Sequence, residues 1–164
     1  MPSGCCGARS TPGMDEVPLL RMLHVAGAVL LLGNVTVTGF WAMFLYLRRS
    51  AVPFRPVAQA ILWTDLAFTA GGGALLVISG ILLIRARGYV IAETPWLVHG
   101  IAALSASTLV WLAVLLPDQL RLERADPADD AAFRRVFLRW TLVGWTVTAI
   151  LFYGLWTMVT GRVP

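Results

Sequence analysis

Four side chains in this sequence are placed to do chemistry from an apolar setting: His24, Asp65, His99 and Arg139. His24 and His99 are the only histidines in the chain, and an imidazole can ligate a metal or carry a proton. Asp65 is the single charge in an apolar run from about Val57 to Ile84, and Arg139 opens another such run. A lone charge among apolar neighbours is costly unless it is wet, neutral or paired. The only cysteines, Cys5 and Cys6, are adjacent in the polar leader MPSGCCGARSTPG. Adjacency suits neither a structural disulfide nor metal-ligand spacing, so residues 1–16 read as a flexible leader. No nucleophile elbow, phosphate loop, paired carboxylates or CxxC pattern is present, which argues against an autonomous catalyst.

The elements that must position these groups are long and apolar. Met22 to Leu47 carries no charge and stops at Arg48–Arg49. A helix rising about 1.5 Å per residue over that length more than spans a hydrocarbon core of roughly 30 Å. Four such helices are expected: about Leu19 to Leu47, Val57 to Ile84, Pro95 to Pro117 and Trp140 to Gly161. Pro53 marks the first connection, and Pro95 suits the first turn of the third helix. Asp118 to Arg135, rich in both signs of charge, reads as a water-soluble link. Strand alternation is absent and the uncharged runs are too long for barrel strands. The fold expected over residues 17–164 is all-α and membrane-integral, a four-transmembrane-helix up-and-down bundle.

Composition agrees. Of 164 residues, 58% are hydrophobic and 13% charged, with a mean hydropathy of +0.75. Soluble domains carry about 25% charged residues, so lipid must solvate much of this chain. All 13 basic residues are arginine, giving a net charge of +4. They cluster beside apolar runs, the pattern of membrane-edge anchors rather than of a nucleic-acid surface. The first and third loops and their flanks hold Arg48, Arg49, Arg55, Arg121, Arg124, Arg134, Arg135 and Arg139. The opposite side holds Arg9, Arg21, Arg85, Arg87 and Arg162. That asymmetry predicts cytoplasmic first and third loops, with both termini outside.

Helical periodicity gives each span a stripe of small and polar residues. The stripes run through His24, Gly27, Leu31, Asn34, Thr38 and Trp41; then Asp65, Thr69, Gly72, Leu76, Ser79 and Leu83. The third takes His99, Ala102, Ala103, Ala106 and Val110 with Ser105 and Ser107 beside it, and the fourth Arg139, Thr146, Ile150 and Tyr153. Helix packing alone accounts for most of these positions, since small residues let backbones approach. Gly71-Gly72-Gly73 reads as a kink or close-packing point.

Three segments, LHVAGAVLLLGN, WLAVLLPDQLRL and RWTLVGWTVTAILFYGLWTMV, carry a resemblance to a bacterial family of integral membrane proteins, domain of unknown function 2269. The resemblance covers about Leu19 to Val159. The family is similar in architecture to the copper-resistance D proteins and to the protoporphyrinogen-oxidase-like membrane proteins, the second of which bind haem. The oxidase-like proteins place a lysine after a tryptophan in their third helix. This chain reads Trp96-Leu97-Val98-His99-Gly100 there and contains no lysine, so that oxidase chemistry does not carry over. The resemblance implies His24 as a haem-ligand position.

Two functional readings follow. In the first, His24 and His99 lie at matched depth on parallel, diagonal helices and are the axial ligands of a haem b, serving electron transfer or haem and metal handling. Gly27 and Gly80 would leave room for the ring, Arg21, Arg85 and Arg87 would meet its propionates, and Tyr153 would hydrogen-bond at that level. Copper is the lesser variant. In the second, the bundle is a structural or accessory subunit, or a permease-like module, without a cofactor. A Soret band separates the first from the bare protein spectrum of the second. Each histidine simply bonding a neighbour is the plainer account of both. Asp65 and Arg139 enter from the same side and are expected to form an ion pair, set against snorkelling of Arg139 and against a proton relay through Asp65. The expected setting is a bacterial cytoplasmic (inner) membrane, with the lipid bilayer as the main partner and other membrane subunits or further copies of the chain as possible ones.

Overall fold

The structure, a computed structural model, describes residues 16–49, 54–124 and 130–163. The leader through residue 15, with Cys5, Cys6 and Arg9, lies outside these, as does Pro53. Four helices are long and apolar enough to cross a membrane: α1 (Glu16–Leu47), α2 (Arg55–Arg87), α3 (Pro95–Arg124) and α4 (Asp130–Thr160). No strand occurs among the described residues. The fold is therefore an all-α membrane bundle with lipid-facing sides, where Val29, Trp63, Leu109 and Leu142 stand exposed.

The third and fourth helices differ from expectation at their shared end. Residues 118–124 and 130–135 are helical, because α3 runs through Pro117 to Arg124 and α4 starts at Asp130. A proline lacks an N–H and crowds the preceding turn. Here the π-helical stretch Trp111–Leu115 lies just before Pro117 and widens the helix, so α3 continues instead of stopping. From its last residue onward Leu115, Asp118, Gln119 and Leu122 are buried, one face at helical spacing. A second π-helical stretch, Asp65–Ala70, interrupts α2 just before its three glycines.

α2 ends at Gly88, whose φ of 67° puts it in the left-handed region. The Gly88 N–H donates to the Arg85 carbonyl at 3.3 Å and the Tyr89 N–H to the Ile84 carbonyl at 3.1 Å, capping the helix. Pro95 then occupies the first turn of α3.

The helices pack as two hairpins. α1 lies along α2, α3 along α4, and α1 also meets α4, whereas α1 and α3 do not touch. The backbones of α2 and α3 approach each other only through Phe54–Thr64 and Leu116–Arg124. Glycine sets the α1–α2 distance: a Cβ on Gly27 would lie 2.7 Å from the Leu76 nitrogen and 2.8 Å from the Gly72 carbonyl oxygen. At the other end Tyr46 of α1 stacks on Phe137 of α4, with centroids 3.9 Å apart and planes 6° from parallel. Arg49 pairs with Asp130 there at 3.2 Å.

The buried faces of α1 and α2 follow the expected stripes through Gly27, Leu31 and Thr38, and through Asp65, Gly72 and Ser79. Trp41 is an exception, turned outward against Phe44. In α3 the buried face is Leu97, Gly100, Ala103 and Ser107, so His99, Ala102 and Ala106 lie exposed. In α4 it holds Trp140, Thr141, Val147, Thr148 and Leu151, and Thr146 is exposed. Around Gly100, Ala103 and Gly154 the close fit of small residues, rather than the histidine, sets which sides pack.

Replacing Gly27 with alanine is expected to destabilise the α1–α2 hairpin by about 1–3 kcal/mol through overpacking against backbone that cannot swing aside. Reversible unfolding in detergent checks it; an unchanged midpoint would show that the seam is looser than described.

Candidate functional site

The two histidines each face the partner within their own hairpin. His24 Nδ1 lies 2.9 Å from the Leu76 carbonyl oxygen and 3.3 Å from Ser79 Oγ, both on α2. A Cβ on Gly80 would fall 3.0 Å from His24 Cε1, so the room beside Gly80 is filled by the imidazole itself. Gly27 is closed by the α2 backbone in the same seam. His99 Nδ1 lies 2.7 Å from the Tyr153 hydroxyl on α4 and is exposed. Arg21, Arg85 and Arg87 are likewise exposed, and no ion pair involves them among the described residues. Both rings spend Nδ1 on a neighbour. One ring is turned into the α1–α2 seam and the other is held sideways to α4, with the hydrogen bonds of both running through Nδ1 and none through Nε2 among the described residues. Among the described residues no three His, Cys, Asp or Glu side chains converge as metal ligands.

Asp65 anchors a different constellation. Its Oδ1 accepts from Asn34 Nδ2 at 2.7 Å and from the Thr69 hydroxyl at 3.2 Å, and its Oδ2 accepts from Gln119 Nε2. Asn34 Nδ2 also reaches Thr69 Oγ1 at 2.9 Å, and Thr38 donates to Asn34 Oδ1 at 3.4 Å. Donors from α1, α2 and α3 thus converge on one carboxylate that is 5% exposed. The expected Asp65–Arg139 ion pair is not formed. Arg139 Nε instead donates to Asp118 Oδ2 at 2.9 Å, and its Nη2 to Asp118 Oδ1. Arg121 reaches the same carboxylate at 3.0 Å. The continuation of α3 past Pro117 brings Asp118, fully buried, nearer to Arg139 than Asp65 is.

Above Asp65 the separation of α2 from α3 leaves a cavity of about 460 Å³. Ligand pockets span about 300–1,000 Å³. Its walls are apolar, with Leu31, Val77, Leu104 and Leu151 among them, and Asp65, Thr69 and Gln119 give it a polar floor. Neither histidine lines it. Five of its lining residues hold buried polar atoms with no hydrogen-bond partner: Ser107 Oγ, Trp111 Nε1, Gln119 Oε1, Trp140 Nε1 and Thr141 Oγ1. These atoms lie behind the cavity surface rather than on it, and buried polar groups of this kind are ordinarily satisfied by protein or by ordered water. Gln119, Trp111, Trp140 and Thr141 are absent from the sequence-based site. The helical spacing of Leu115, Asp118, Gln119 and Leu122 in LPDQLRLER is the signal that would have found Gln119.

Residues 18–161 match the family described as predicted integral membrane protein, DUF2269, and the chain belongs to that family. No curated protein and no solved structure matches the chain significantly.

A double-mutant cycle reads the ion-pair assignment directly. Arg139→Gln and Asp118→Asn are expected to be strongly non-additive in unfolding free energy, because they share one interaction. Arg139→Gln and Asp65→Asn are expected to add. Coupling in the second pair and none in the first would reverse the assignment.

Proposed function

We propose that this protein is a small permease-like membrane module, without a resident cofactor, that binds a solute in the cavity above Asp65. The observation that carries the reading is a void of about 460 Å³ whose apolar walls meet a polar floor of Asp65, Thr69 and Gln119. A bundle whose polar residues served only to pack helices would turn them against each other, as Asn34, Thr69 and Asp65 do. Ser107 and Thr141, from facing helices, instead belong to the lining of the void and bond neither each other nor a neighbour. The π-helical stretches of α2 and α3 both border the void, and irregular backbone inside a membrane is tolerated where it lines a cavity.

The solute-binding reading is tested by filling the site. A Cβ on Gly144 would have the Leu115 side chain 3.9 Å away as its nearest neighbour, so there is room for a larger side chain. Gly144→Leu is expected to keep the fold and to weaken saturable binding of small aromatic solutes by about tenfold or more, as followed by tryptophan fluorescence in lipid nanodiscs. Unchanged binding in that variant would move the site elsewhere.

We further propose a bacterial cytoplasmic membrane setting with both termini outside, supported by the arginine excess at the end bearing the first and third connections. Reporter fusions after Arg55 and Arg124 are expected to read cytoplasmic and one after Arg87 external. The reverse pattern would invert the topology.

A further inference from the structure

We infer that the cavity selects an organic ammonium ion with an apolar body, and that Asp65 is its counter-ion. The inference rests on the solute-binding reading above and adds the chemical class of the solute. Asp65 is the only acidic residue lining the void, and no cation partners it among the described residues. Arg139, the cation expected there, is taken by Asp118. Asp65 is approached by three neutral donors, all directed at its oxygens. Asp65 is thus held by neutral donors, carries no cation of its own, and lines a void with room for one. An ammonium group has several N–H donors and no acceptor, which matches a carboxylate with no cation of its own.

The walls extend the match. Trp111, Trp140 and Trp145 all line the cavity, and indole faces attract a desolvated cation more strongly than any other side-chain ring. The aliphatic lining suits an apolar body. An anionic solute would meet the Asp65 charge at short range with no cation to offset it, and a neutral one would leave that carboxylate as it is.

Three isosteric probes decide the matter: phenethylamine, phenethyl alcohol and phenylacetate, titrated against the full chain in nanodiscs with protein-free nanodiscs subtracted. The amine is expected to bind at least about tenfold more tightly than the alcohol, the ratio that one charge-assisted hydrogen bond supports, and phenylacetate not to bind saturably. Asp65→Asn is expected to bring the amine-to-alcohol ratio close to one while helicity is kept. Equal affinity of amine and alcohol in the unmodified chain would overturn this inference and leave the solute-binding reading standing. Failure of all three to bind saturably would overturn both. The ratio in the unmodified chain needs no variant, so it decides the question even where Asp65→Asn does not fold.

Discussion

A carboxylate inside a lipid-solvated helix has no water to fall back on, and the arrangement of this bundle follows from how Asp65 is partnered. Three helices contribute to it: Asn34 from α1, Thr69 from α2 and Gln119 from α3. In hydrocarbon, association between helices gains nothing from burying apolar surface, because lipid tails are as apolar as leucine. Directional bonds and close backbone packing hold the helices instead. The Asp65 cluster is the polar bond between the two hairpins, and the glycine seam of Gly27 and Gly72 is the close packing within one of them.

The second carboxylate, Asp118, solves the same problem by other means. It is fully buried and takes two arginines, Arg121 and Arg139, whose stems reach outward at the end of the bundle. The division of labour has a functional consequence. Because Arg139 and Arg121 are spent on Asp118, Asp65 lines the void with neutral partners only. The π-helical stretches contribute to the same outcome. One begins at Asp65, the other carries α3 past Pro117 so that Gln119 arrives opposite. Had α3 stopped at the proline, the void would have lost its floor.

Sequence alone determined the solvent, the helix count and the family. Uncharged runs of this length must cross a membrane whatever packs against them, and the arginines must flank them. The placement of Asp65, Asn34 and Thr69 on inward faces was legible too, because a polar group in lipid has only one favourable direction to turn. What the tertiary structure decided is which polar groups meet. Around Gly100, Ala103 and Gly154 the packed faces of α3 and α4 were set by the close fit of small residues rather than by the histidine, and His99 turned outward. The helical continuation through Pro117 gave Arg139 a nearer carboxylate than Asp65. The void exists only because α2 and α3 draw apart above their contact, a property of interhelical geometry that no single helix encodes.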